Sequence, residues 1–190
     1  ILAGVAAFKA GDETFTDVGE RMSVFEDKAP HAIYVPNGVD VSLTATTKVE
    51  LAVCAAPGKG NHPLRWIKPN EMGREARGEG SNVRHICNIL PQNEPADSLL
   101  VVEVKTPNGN WSSYPPHKHD ADNIPHESYL EETYYHRINP QQGFVFQRVY
   151  TDDLAIDETM AVEDRCVVKV PRGYHPVGAP HGYDSYYLNV

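Results

Sequence analysis

The sequence is short of three things, and each shortage closes off a class of protein. No apolar run approaches the ~20 residues that a membrane-spanning helix needs, so no helical membrane span is expected. Basic residues are few, 17 Lys and Arg against 26 Asp and Glu for a net charge of −9. That balance argues against nucleic acid and anionic membrane surfaces as partners, since both call for clustered positive charge. It does not require a cationic substrate, because one well-placed Arg reverses the local field. Cysteine is limited to Cys54, Cys87 and Cys166, an odd number spread far apart, which fits a reducing cytoplasm better than a disulfide framework. The Asn110-Trp111-Ser112 tripeptide matches a glycosylation acceptor, but with no secretory signal beside it the match carries no weight. The chain opens on Ile1-Leu2-Ala3-Gly4 without methionine and stops on Tyr186-Tyr187-Leu188-Asn189-Val190, which reads as mid-strand. The natural protein is therefore expected to be longer at both ends.

A sustained helical period is also missing; Pro95 to Leu99 offers at most one short turn. What is present is short strand-like runs broken by fifteen prolines and fourteen glycines. The runs are Ala32 to Val35, Val41 to Thr44, Val49 to Val53, Leu99 to Val104, Phe144 to Tyr150 and Cys166 to Val170. Such runs with turn residues between them predict an all-β sandwich or barrel.

An internal repeat goes further. Arg21-Met22-Ser23-Val24 precedes Val35-Pro36-Asn37-Gly38, and Thr159-Met160-Ala161-Val162 precedes Val170-Pro171-Arg172-Gly173. Apolar runs follow both turns, at Val49 to Val53 and Tyr186 to Val190. Pro and Gly are common turn residues, but the matched Met-x-Val upstream favours a duplicated barrel. The Gly-rich, charged stretch from Pro57 to Asn82 reads as a connection holding one strand.

Six of the nine histidines fall between residues 117 and 181. His117-Lys118-His119 alone is weak, since nine histidines in 190 residues give about 0.4 such pairs by chance. Pro115-Pro116 just before the pair blocks a helix and suggests a strand, where residues two apart share a face. Glu131 to His136 is rich in aromatic and β-branched residues and reads as a second strand. Alternation puts Glu132, Tyr134 and His136 on one face, and Glu131, Thr133 and Tyr135 on the other. His175 follows the second Pro-x-Gly turn. Three imidazoles and a carboxylate suit one divalent ion, zinc first, with manganese, iron, cobalt and nickel compatible. In the first copy the place of His175 is taken by Asp40, and no His-x-His remains, so that copy is expected to serve as structure without a metal. His126 and His181 lie in Pro- and Gly-rich loops and are read as surface groups.

His-x-His, a later Glu, then Pro-x-Gly and a following His is the order of metal ligands in cupins. Longer stretches make the resemblance specific: Ser112-Ser113-Tyr114-Pro115-Pro116-His117-Lys118-His119-Asp120, Tyr129 to Arg137, Gln147 to Asp153 and Val170 to Val177. Gly19 to Phe25 and Leu51 to Gly60 extend it over essentially the whole chain. The sequence resembles the 5-deoxy-glucuronate isomerases of myo-inositol catabolism, a bicupin family related to 5-keto-4-deoxyuronate isomerase. The resemblance implies two cupin barrels: a partial one over residues 1–57 without metal, a connection over 58–83, and a complete one with a metal site over 84–190. It implies the ligands His117, His119, Glu132 and His175. The gap from His119 to Glu132 is longer than the usual cupin spacing, which leaves Glu131 open as the ligand.

The implied reaction is aldose–ketose isomerisation of a small sugar acid, 5-deoxy-glucuronate to 2-deoxy-5-keto-gluconate, in which one proton moves between adjacent carbons through an enediol(ate). A metal stabilises the developing oxyanion, and a positioned acid or base adds roughly 10²–10⁴-fold. Glu131, Tyr150 and Tyr186 are the candidate acid–base groups, and Arg148 and Arg172 the candidates for the substrate carboxylate. Alternation along Phe144 to Tyr150 is expected to turn Phe144, Phe146, Arg148 and Tyr150 into the barrel, which makes Arg148 the residue expected to read the substrate carboxylate. Two other functions fit the same ligands, a metal-dependent cupin dioxygenase and a non-catalytic sugar-acid-binding cupin. A homo-oligomer is compatible with all three.

Overall fold

The computed structural model describes residues 1–190, and strands supply nearly all its regular structure, with 3₁₀ turns only at Pro69–Glu71 and Gly80–Asn82. No helix is long and apolar enough to cross a membrane. Cys54, Cys87 and Cys166 are all free thiols. The chain divides into two compact units, one of residues 1–74 with 87–102 and one of residues 75–86 with 103–190.

The first unit holds β1 (Ala6–Ala10), β2 (Glu13–Val18), β3 (Ala32–Tyr34), β4 (Val41–Ala45) and β5 (Arg65–Ile67). They form a three-stranded sheet in the order β2-β1-β4 and a two-stranded sheet of β3 and β5. Alternation along β1 buries Ala6, Phe8 and Ala10, and Phe8, Ala6 and Val18 make a small core with Phe15, Ile33, Leu43 and Trp66 around it. Each large apolar side chain so buried contributes about 1.5–3 kcal/mol.

One segment expected to be a strand here, Val49 to Val53, is not, and the repeat motif before the first turn is not a strand either. Arg21 to Val24 is a bend, because the buried Arg21 guanidinium turns back to bond the Leu2 and Lys28 carbonyls. The Met22 and Ser23 N–H groups go to the Glu26 carboxylate rather than to a ladder. Val49 to Val53 is reduced to a single bridge between Glu50 and Ala3. The Pro95 to Leu99 stretch forms bends and no helical turn. The two Pro-x-Gly turns do share a form: each follows a strand, and Gly38 and Gly173 both have positive φ, +83° and +94°.

Three strands run through the boundaries between units, β6 (Gly73–Arg77), β7 (Arg84–Leu90) and β8 (Val101–Thr106). Thus the segment expected to be a connection carries β5 and β6. The second unit continues with β9 (Trp111–Ser112), β10 (Glu132–Asn139), β11 (Phe144–Tyr150), β12 (Asp157–Glu163), β13 (Val167–Val170), β14 (Val177–Gly178) and β15 (Asp184–Asn189). Its two sheets run β13-β10-β15-β8-β7-β6 and β12-β11-β14-β9. All the registered pairs in these sheets are antiparallel. Two antiparallel sheets with a shared interior are the jelly-roll arrangement of cupins.

Which side chains enter that interior follows from the ladders, since directly opposed residues share a face. His136 stands opposite Tyr187 and Tyr134 opposite Asn189, while Gln147 stands opposite Val177 and Val177 opposite Ser112. Glu132, Tyr134, His136 and Ile138 are buried on β10, as are Val145, Gln147 and Val149 on β11. The alternation of β11 is therefore opposite to the expectation. Phe146 and Arg148 point outward, and Phe144 packs on Phe146 and Tyr183. The inward position belongs to Gln147 because its side-chain oxygen meets His136 Nε2 at 2.9 Å, the polar partner that a fully buried imidazole requires.

Candidate metal centre

Three histidines converge at one end of this interior. The ligand atoms of His117, His119 and His175 all lie within 4.8 Å of one another. Their ring centroids are 4.8–5.9 Å apart. Each is aimed by a different device. His117 and His119 sit on an irregular extended segment rather than on the expected strand, because Pro115 and Pro116 have no N–H to give a ladder. Lys118 between them projects the other way, ion-paired with Asp152 and lying 5.4 Å from the Tyr174 ring. The His119 carbonyl accepts the Leu130 N–H at 3.1 Å.

His175 is aimed by the Pro-x-Gly turn. Gly173 donates its N–H to Asp120 Oδ1 at 2.6 Å, and its carbonyl meets His175 Nδ1 at 2.9 Å. That contact fixes His175 Nδ1 as the protonated nitrogen and leaves Nε2 with its lone pair toward the cluster. Gly173 cannot carry a side chain, as a Cβ would stand 2.5 Å from the Tyr150 carbonyl oxygen at a φ that other residues rarely adopt.

Glu132 lies beside these histidines. Its Oε1 lies 3.5 Å from His119 Nε2 and 3.6 Å from His175 Nε2. Oε1 and His175 Nε2 are both buried with no hydrogen-bond partner. Buried polar atoms without partners are costly unless something outside the protein satisfies them. The two Glu132 separations are close to those of ligands sharing an ion, since tetrahedral ligands at 2.0–2.2 Å from zinc stand about 3.4 Å apart. These residues fit a divalent metal. Glu131, the other carboxylate that the sequence left open, is exposed and points away from the buried face of β10, with Tyr129 as its polar neighbour.

The electrostatics favour a neutral imidazole at His117. Although its outer edge meets solvent, His117 is packed against the other two rings, and desolvation followed by the neighbouring His175 and His119 lowers its pKa. Beneath the cluster, burial raises the pKa of Tyr134 well above the ordinary phenol, reinforced by the Glu132 charge, and burial raises that of Tyr187. Both hydroxyls therefore keep their protons.

Deeper still, burial pushes the pKa of His136 from 6.5 down to about 4, against the opposing pull of Gln147. An unfolded chain takes up this proton below pH 6.5, whereas the folded one does so only near pH 4. The contribution is thus complete above pH 6.5 and is lost as the pH falls through that window, to a total of about 3 kcal/mol. Urea unfolding of the metal-free protein between pH 7 and pH 4 should show this loss, and a His136→Gln variant should show less of it. An equal acid sensitivity in both would assign the loss to other groups.

The remaining residues singled out in the sequence are not brought to the histidines. Tyr150 stacks on Tyr174 at 5.0 Å and carries the Arg148 guanidinium over its ring at 4.2 Å on the outer face. Arg148 is paired there with Asp157 at 2.8 Å, so the expected inward guanidinium is an exposed ion pair. Tyr186 is buried on the other face of β15, donating to Glu103 at 3.0 Å. Arg172 is exposed in the turn that leads to His175. Conversely, Ser113, Tyr134, Tyr187 and Asn189 line the space under the cluster. Tyr134 was legible as the same-face neighbour of Glu132. Asn189 is found only from the register that sets it opposite Tyr134.

Comparison with known proteins adds independent support. The family model described as the KduI/IolB family matches residues 1–190. The 5-deoxy-glucuronate isomerase of Geobacillus kaustophilus is 60% identical over 190 residues, covering 100% of this chain and 69% of that protein. The protein of the same name from Geobacillus thermodenitrificans gives the same figures. The crystal structure of an IolB-like protein from Salmonella typhimurium matches with a TM-score of 0.97 at 56% identity, covering 100% of this chain and 72% of that one.

Proposed function

The chain belongs to the KduI/IolB family, and from that premise we propose that it is an intramolecular aldose–ketose isomerase converting 5-deoxy-glucuronate to 2-deoxy-5-keto-gluconate. The observation that carries the reading is the convergence of three imidazoles and the unpartnered Glu132 oxygen at one point, in a chain closely similar to proteins named for this reaction. His117, His119, Glu132 and His175 hold one divalent ion, zinc for this mixed nitrogen and oxygen donor set. When bound, the ion supplies a Lewis acid that polarises a carbonyl and steadies the developing oxyanion, worth several kcal/mol.

The chain's own residues do the rest. His117, exposed at the edge of the cluster, marks the side from which a sugar acid enters. The Tyr134 and Tyr187 hydroxyls, buried and protonated, close the inner side to water. Of the two arginines that the sequence offered for the substrate carboxylate, Arg172 takes this role. It is exposed two residues beyond β13 and three before His175, whereas Arg148 is engaged by Asp157 on the outer face. In this reading the metal belongs to the second cupin, over residues 84–190, and the partial first one, over residues 1–57, is structural.

The test is turnover of 5-deoxy-glucuronate by the full-length protein under argon, followed by NMR. Loss of the aldehyde proton signal with growth of the ketone product, abolished by chelation and restored by zinc, is expected. Arg172→Ala should raise KM for the uronate by roughly 10–100-fold, the worth of a charge-assisted contact, and leave a neutral sugar analogue unaffected. A strict requirement for oxygen would point to a dioxygenase. Binding without conversion would point to a sugar-acid-binding module.

A further inference from the structure

Glu132 is held from behind as well as facing the histidines. Asn189 Nδ2 donates to Oε2 at 2.7 Å, and the Tyr134 hydroxyl donates to the same oxygen at 3.2 Å. Oε1, turned toward His119 and His175, has no such partner. One oxygen is thus tied down and the other is left for the cluster.

The order of donors behind Tyr134 is forced by simple accounting. A carboxylate only accepts, so the single Tyr134 hydroxyl proton goes to Glu132. The 3.3 Å contact between Ser113 Oγ and the Tyr134 oxygen must then use the Ser113 proton. With that proton committed, the 3.5 Å contact of Ser113 Oγ with the Tyr187 hydroxyl must use the Tyr187 proton. Tyr187, Ser113 and Tyr134 therefore form a file in which every O–H points toward Glu132. The three are buried, so water does not compete for these bonds. The Asn189 amide fits the same accounting, since only its NH₂ can be attracted to a carboxylate.

We propose that Asn189 and Tyr134 are positioning residues for Glu132: by bonding Oε2 they present Oε1 alone to the metal, with Ser113 and Tyr187 fixing the Tyr134 hydroxyl from behind. The proposal rests on Glu132 being the fourth ligand, the reading given above. Ligating carboxylates held by such outer partners typically lose 10–100-fold in metal affinity when the partner is removed.

The experiment uses the full-length protein with zinc alone as the probe, in competition with a chromophoric chelator. Glu132→Gln should lose stoichiometric zinc; retention of native affinity there would overturn Glu132 as a ligand. Asn189→Ala and Tyr134→Phe should each bind one zinc per chain at saturation, with affinity lowered roughly 10–100-fold. X-ray absorption of the zinc-loaded Asn189→Ala protein should show a changed zinc–oxygen shell, a signature that a purely structural role for Asn189 would not produce. If Glu132→Gln loses zinc while Asn189→Ala and Tyr134→Phe match the wild type, the positioning role is wrong and the ligand assignment stands. Should Tyr134→Phe fail to fold, Ser113→Ala interrupts the file without touching Glu132. It should weaken zinc binding less than Asn189→Ala does, and native affinity in both would overturn the proposal.

Discussion

Replacing His119 with Ala should leave a folded protein that retains no stoichiometric metal and loses about 10³-fold or more in isomerase activity. The magnitude follows from the several kcal/mol that a Lewis acid contributes to such a transition state, each 1.36 kcal/mol being a factor of ten. Folding should survive because His119 is partly exposed, lies on an irregular segment and pairs with no strand. On the proposed assignment the variant keeps only His117, Glu132 and His175, one donor fewer for the ion. Elemental analysis, circular dichroism and turnover on one preparation separate the outcomes. Full metal occupancy in His119→Ala would remove it from the ligand set.

The second large effect concerns stability. Asp164 is almost fully buried, and its Oδ1 accepts from Arg137 Nε at 2.7 Å and from the Ile138 N–H at 2.9 Å. Both donors lie on β10, the strand that carries Glu132. Asp164→Ala takes the acceptor from a largely buried guanidinium and a backbone amide together. Removing one partner of a buried ion pair costs about 3–5 kcal/mol, whereas replacing both by apolar groups of similar volume is often neutral. Urea unfolding should show a loss of that size in Asp164→Ala and substantial recovery in Asp164→Leu with Arg137→Met. A loss below about 1 kcal/mol in the single variant would place the pair among surface-like interactions.

The interior polar file also explains which parts of the molecule could be read from the sequence. The β11 boundaries, Phe144–Tyr150, match the expectation, yet its faces are reversed. Alternation says which residues share a face but not which face is inside. Two phenylalanines beside a glutamine suggest an apolar interior, but this interior holds imidazoles and hydroxyls, and Gln147 is needed there to bond His136. The same alternation gave the right answer on β10, separating Glu132 from Glu131, because Tyr134 and His136 mark the inner face together. Tyr150 and Arg148 were misplaced inward with their strand, and Tyr186 by one residue from Tyr187.

The first unit was harder to read for a different reason. Arg21 to Val24 has the composition of its repeat partner on β12, but the buried guanidinium of Arg21 holds that stretch in a bend. A contact between residues so far apart in sequence leaves no trace in local propensity. Asn189 illustrates the same limit, since its role depends on which residue stands opposite it across the ladder.

An anomalous difference map recorded at the zinc edge from crystals of the active full-length enzyme tests the central claim most directly. The account predicts a single peak about 2.0–2.2 Å from Glu132 Oε1, His119 Nε2, His175 Nε2 and a ring nitrogen of His117. An active enzyme with no peak at these residues, or with its metal elsewhere, would contradict it.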